Sequence, residues 1–297
     1  MILFAMVWKT GWSDLYKILL RVNPYFLVVA LLFAIFATII KAVRWIYLFR
    51  DVKPSDACKV YFIGQAVNQT LPTGSGELTR ACIGKSKLNV PTGKTLAYAA
   101  VERVADTTFL IAVSVIFFAL VVSRGELWLY LILSGSVLAA LYILILKSGS
   151  IERFLGAKPR KKLLNSAWKI LGEFRLGISV LKKNRLVLAY LITFTVIAWI
   201  VNGITHWILL LAFGVDINLF FLIAIAGAAE IIGAFTFLPG GLGTKEVSFT
   251  VILAMLGVPA EIGFAVALVS RAIGYIIIGS GAIGSLLTLT EKTGVER

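Results

Sequence analysis

Long apolar runs separated by short charged clusters divide the chain. Residues 25–49, 96–122, 127–146, 186–213, 219–238 and 262–289 are predominantly apolar. Runs of about 18 or more such residues are long enough to cross a bilayer as helices. Residues 1–8 are apolar but cover only about half that thickness. They lack a basic leader and a cleavage pattern, so they predict a shortened first helix rather than a signal peptide. Residues 14–21 predict an interfacial amphipathic piece. Pro24 opens the first full span, and Lys41 and Arg44 lie in its last turns beside Trp45 and Tyr47. That grouping predicts basic side chains snorkelling to one interface, with aromatics at headgroup level.

Two stretches break the pattern. Residues 57–71 number only about 15 and carry Gln65, Asn68, Gln69 and Thr70. They predict a half-helix that enters the membrane, turns at residues 72–76 and returns over 77–88. Residues 219–238 carry Glu230 in mid-run, and FTFLPGGLGTKE follows at 235–246, ahead of a short apolar piece at 247–256. Irregular backbone at membrane depth is tolerated only where protein or a water-filled cavity surrounds it. Residues 257–261 form a turn before the last span, which holds Arg271 and a series of small residues suited to close helix packing.

The parts recur in order. A span ends in a basic–Trp pair, Arg44-Trp45 or His206-Trp207. A broken hairpin follows, with Pro72 or Pro239 at the break. A helix then carries a buried arginine, Arg103 or Arg271, at nearly the same distance. The predicted repeats cover roughly 24–123 and 186–289. A tight turn at 124–126, the span 127–146 and a basic segment at 147–185 join them. The whole chain, 1–297, is expected to be one membrane domain.

Charge sets the orientation. The chain is 59% hydrophobic and 15% charged, with a formal net charge of +14. Its basic residues border the apolar spans, which excludes nucleic acid as the main partner and points to anionic headgroups. Arg50, Lys53, Lys59, Lys85 and Lys87 place the first hairpin on the cytoplasmic side. The loop 214–218 has Asp216 but no Lys or Arg and is expected outside. The two halves are therefore inverted, an arrangement found in secondary transporters. The C-terminus is expected in the cytoplasm and the protein in the cell membrane. Segment 147–185 predicts either an amphipathic surface helix or a solvated linker helix packed on the spans. Cys58 and Cys82 fall on the cytoplasmic side, where free thiols are expected.

The fold class is thus an all-α polytopic integral membrane protein, with about 6–7 transmembrane helices and two broken, re-entrant hairpins forming an inverted repeat. Its candidate chemistry lies at the breaks. A Pro-Gly-x-Gly turn ends one half-helix and begins another, whose first N–H groups and positive dipole end suit an anion. Gly240, Gly241 and Gly243 allow close approach. Arg103, Arg271, Lys245 and Arg80 supply charge-assisted contacts. Glu77, Glu246, Glu230 and Glu102, with Asp106, either take an amine or a proton or pair with the arginines. A purely structural ion-pair network is the alternative, because intramembrane charge needs partners. His206, the only histidine, is read either as a titrating group or as a packed, hydrogen-bonded one.

No catalytic set or metal site emerges, and no cofactor is implied. Gly93-Lys94-Thr95 resembles the end of a phosphate loop, but the required earlier glycine position holds Leu88.

LPTGSGELTRA, FLPGGLGTKEVSFTVIL and ALVSRAIGYIIIG resemble the flippase-like transmembrane domain family, the membrane half of bacterial lysylphosphatidylglycerol synthases. The likeness spans roughly residues 10–290. Where that family often has an arginine in the first loop, this chain has Thr73, Gly74 and Ser75. The resemblance implies a lipid flippase or translocase. It would move an anionic or aminoacylated phospholipid, or a polyprenyl-phosphate-linked lipid, between leaflets. It implies no synthesis, since aminoacyl transfer resides in a separate soluble domain. The sequence ends about eight residues past its last span, so that domain is expected to be absent. Two rivals stand beside this reading. One is a membrane scaffold for a partner enzyme, a glycosyltransferase or a lipid-modifying enzyme, docked at the cytoplasmic face. The other is an intramembrane lipid-phosphate enzyme, disfavoured by the missing nucleophile–base set.

Overall fold

A computed structural model describes residues 22–50, 52–121, 170, 172–174, 176–179, 184–236 and 238–294. The described residues form eight main helices: α1 (Pro24–Leu48), α2 (Pro54–Thr70), α3 (Ser75–Leu88), α4 (Thr92–Val121), α5 (Arg185–Leu211), α6 (Leu219–Phe235), α7 (Thr244–Met255) and α8 (Ala260–Gly294). A single 3₁₀ turn, Pro239–Gly241, lies between α6 and α7, and no strand occurs among the described residues. The segments 1–8, 14–21, 124–126 and 127–146, and most of 147–185, lie outside them.

Local sequence explains where these helices start. Asn23, Asn184 and Asn218 each cap a helix, accepting a first-turn N–H through the side chain. Pro24 and Pro54 occupy the first helical turn, where no N–H is needed. The breaks need glycine: Gly74, Gly240 and Gly243 have φ of 97°, 56° and 86°. The second return helix begins at Thr244, three residues earlier than the apolar pattern predicts. Glu246 causes this by accepting the Gly243 N–H at 2.7 Å. Lys245 and Glu246 therefore sit in the first turn of α7 rather than in the loop. Similarly, α8 begins at Ala260, inside the turn predicted over 257–261.

α1, α4, α5 and α8 are long and apolar enough to cross a membrane. α6 is apolar but shorter, at 17 residues. The polarity of the bundle is inside-out. Val28, Leu32, Phe36 and Ile39 lie exposed along α1, spaced as one helical face. Arg44, Arg80, Glu102 and Glu246 are buried. Apolar side chains outside and charges within are what a lipid solvent selects. This is an all-α, multi-pass membrane protein.

Long helix, short helix, break, short helix, long helix occurs twice, as α1–α4 and α5–α8. Contacts follow the same scheme: α1 lies along α5, α2 packs on α8, and α6 packs on α4. The first short helix of each half thus meets the long closing helix of the other half, and the second meets that of its own. One core surrounds α6, with Leu222, Ile225, Phe249 and Leu253. A second gathers Trp45, Phe49, Tyr61 and Tyr98 near the first hairpin.

Candidate functional site

Between the hairpins lies a polar cavity of about 390 Å³. Its walls draw on all eight helices, α1 to α8. The hairpin tips meet at its edge, where Gly240 N–H donates to the Leu71 carbonyl at 3.3 Å. A Cβ on Gly240 would lie 2.5 Å from the Gln69 carbonyl oxygen, so the contact requires glycine.

Each hairpin carries a glutamate near the start of its return helix, held by an arginine from the long helix that follows. Arg103 reaches Glu77 through Nη2 at 2.6 Å and Nε at 2.7 Å. Asn68 donates to the same Glu77 oxygen at 3.2 Å and accepts the Gly76 N–H at 2.8 Å. In the second half, Arg271 Nε donates to Glu246, while Arg271 Nη1 donates to the Gly240 carbonyl at 3.2 Å. Lys245 pairs with Glu230 at 2.7 Å. Protein side chains thus accept the Gly76 and Gly243 N–H groups, two of the amides offered by the breaks.

A third group closes one wall. Arg44 holds Asp106 with two bonds, at 2.6 and 2.9 Å. It also donates to Glu102 at 2.8 Å and to Thr195 at 2.6 Å. Arg80 takes the other Glu102 oxygen at 3.0 Å and stacks over Trp45 and Tyr61. Gly64 leaves room for its stem. Such pairing makes buried charge tolerable, since each ion finds hydrogen-bonded compensation.

The interface reading of Lys41 and Arg44 is corrected here. Arg44 is 1% exposed and Lys41 turns to the cavity, over the Trp199 ring at 4.4 Å. The reason is that Glu102 and Asp106, one turn apart on α4, require a buried cation. Trp199 donates to Asp106 at 3.0 Å and completes this wall.

Of the residues singled out from sequence, Arg80, Glu102, Arg103, Glu230, Gly240, Lys245, Glu246 and Arg271 line the cavity. Glu77 reaches it through Arg103. Gly241 and Gly243 shape the second break behind it. His206 also lines it, with Nδ1 at 2.9 Å from the Asn202 carbonyl and Nε2 at 3.1 Å from Ser270 Oγ. Since a carbonyl only accepts, Nδ1 carries a proton, and Ser270 Oγ is the hydrogen-bond partner of Nε2. Lys41, Arg44 and Trp199 are among the cavity residues that sequence reasoning missed. The two acids at 102 and 106 were the signal that could have drawn Arg44 inward. Cys58 and Cys82 are free thiols.

An all-α, multi-pass bundle around a charged internal cavity defines the class. The chain belongs to the family described as the lysylphosphatidylglycerol synthase TM region, which matches residues 1–281. It is similar to a UPF0104 membrane protein of Methanothermobacter thermautotrophicus, at 24% identity over 96% of this chain and 91% of that one. A UPF0104 membrane protein of Methanocaldococcus jannaschii shares 24% identity over 99% of this chain and 93% of the other. Glycosyltransferase AglD of Haloferax volcanii is 23% identical over 96% of this chain, a match that takes up 52% of AglD.

Proposed function

We propose that the chain translocates a lipid with a charged headgroup between leaflets. The substrate class is an anionic or aminoacylated phospholipid, or a polyprenyl-phosphate-linked lipid. The observation that carries this reading is the cavity: polar, bounded by both hairpins, and set within helices that face lipid. Its volume of about 390 Å³ falls in the ordinary range of small-molecule sites, about 300–1,000 Å³, and suits a headgroup whose acyl tails stay in the bilayer.

Arg103, Arg271 and Lys245 hold the phosphate in this scheme, and Glu77, Glu246 and Glu230 hold an amine or remain paired. The internal ion pairs satisfy the site while no headgroup is present, and a headgroup exchanges with them. Rocking of one half against the other, across the contact of the two tips, alternates access. The halves are inverted in the membrane, with the C-terminus in the cytoplasm and the protein in the cell membrane. The chemistry is transport and not catalysis.

One observation favours a second reading. This chain matches about half of a protein named as a glycosyltransferase, so a membrane unit that serves a partner enzyme at the cytoplasmic face is the rival. Purified protein in liposomes separates the two. Movement of fluorescent phosphatidylglycerol without any partner supports transport. No movement of any lipid by folded protein, with loss of partner activity when segment 147–185 is deleted, supports the scaffold.

A further inference from the structure

The cavity holds one cation more than its carboxylates neutralise. Its basic residues are Lys41, Arg44, Arg80, Arg103, Lys245 and Arg271. Five carboxylates meet them: Glu77, Glu102, Asp106, Glu230 and Glu246. Among the described residues, every one of these cations but Lys41 has a carboxylate within ion-pair distance. Asp106 and Glu230 line the same cavity as Lys41. Arg44 and Lys245 already claim them.

Lys41 is held, however, by the face of Trp199 at 4.4 Å. The indole restrains the amine through its quadrupole without supplying a countercharge. Trp199 is itself fixed by its bond to Asp106. Asn202, three residues along α5 from Trp199, lines the same cavity with an amide able to donate. An uncompensated cation inside a membrane bundle is costly. A bound monoanion removes that cost, and a single negative charge balances the cavity.

We propose that Lys41, seated over Trp199, is the anion anchor of the cavity and receives a phosphate group, either the phosphodiester of a lipid headgroup or inorganic phosphate. This rests on the reading of the cavity as a headgroup site, although it does not require transport. It assigns the first contact to a residue other than the paired Arg103, Lys245 and Arg271. Those cations already share their charge with a carboxylate, whereas Lys41 has none at ion-pair distance.

The test is calorimetric binding to the full chain in uncharged detergent. Dihexanoyl phosphatidylglycerol and inorganic phosphate are titrated separately, with dihexanoylglycerol as the phosphate-free control. Lys41→Met, which keeps an unbranched stem over Trp199, is expected to weaken phosphate-dependent binding by about tenfold or more, and Lys41→Arg to restore most of it. Lys41-dependent binding of the lipid alone assigns the headgroup as the source; equal binding of inorganic phosphate assigns the free ion. Either supports the anchor. Should Lys41→Met fail to fold, acetylation of Lys41 in the wild type, read by peptide mass spectrometry, is expected to slow in the presence of the bound ligand. Wild-type affinity in Lys41→Met, undetectable wild-type binding of both probes, or acetylation unchanged by ligand overturns the proposal. Lys41-dependent binding without lipid movement would sink transport and leave the anchor standing. Lipid movement with no effect of Lys41 on binding would do the reverse.

Discussion

Arg103 holds Glu77, 26 residues before it, at the root of the first return helix. Arg271 holds Glu246, 25 residues before it, at the root of the second. Each pair ties a broken hairpin to the long helix that follows, so the hairpin is anchored to its own half. The two pairs differ in burial. The Arg271 and Glu246 side chains are 13% and 3% exposed, against 42% and 14% for Arg103 and Glu77.

That difference predicts unequal stability effects. Arg271→Ala leaves Glu246 buried and unpaired, at a cost of about 3 kcal/mol or more. Arg103→Ala exposes its partner to a wetter cavity and costs less. Thermal unfolding of the purified variants checks the order, and equal destabilisation contradicts it.

Arg44 is predicted to be the most sensitive position on the α1 wall. It bonds Glu102, Asp106 and Thr195 together, so Arg44→Met leaves Asp106 without its paired cation and Glu102 with Arg80 alone. Arg44→Lys is expected to rescue little, because an ammonium cannot reproduce two parallel bonds to Asp106. Yield and melting temperature of the folded protein in detergent report both variants; full rescue by lysine is the contrary result.

The hairpin tips provide a conformational test. On a background with Cys58 and Cys82 replaced by Ser, Leu71→Cys and Leu238→Cys place thiols on the two exposed tips. A short thiol cross-linker is expected to stop lipid movement if rocking separates the tips, and a cleavable linker to restore it. Undiminished transport by cross-linked protein contradicts the tip-opening step.

Orientation is tested at the α5–α6 loop. Asp216 is exposed enough for labelling and accepts from Trp207 at 3.0 Å. On the same thiol-free background, Asp216→Cys is expected to react with an impermeant maleimide from outside intact cells. Labelling only after lysis reverses the assigned orientation.

Much of this architecture was legible in the amino-acid order. Apolar run lengths located α1, α4, α5 and α8. Pro72 and Pro239, each with neighbouring glycines, located the breaks, because a span carrying such residues cannot continue as one helix. The Glu–Arg pairs were legible as an alternative, since intramembrane acids demand partners. The inward turn of Lys41 and Arg44 was not. A basic pair beside Trp45 and Tyr47 at the end of a span has the same pattern whether it anchors at an interface or meets acids on another helix. Only the packing of α1 against α4 and α5 side chains separates the two. The early start of α7 was hidden for a similar reason: Lys245 and Glu246 read as loop until the Glu246 cap on Gly243 is seen.

Transport through the ion-paired cavity is tested by reconstituting wild type and Arg271→Ala at matched density in liposomes, with fluorescent phosphatidylglycerol and an impermeant quencher. Wild-type protein is expected to expose inner-leaflet lipid to the quencher, and Arg271→Ala to slow this by about tenfold, the scale expected when about 1.4 kcal/mol of headgroup stabilisation is lost. Folded wild-type protein that moves no lipid above the protein-free rate would contradict transport.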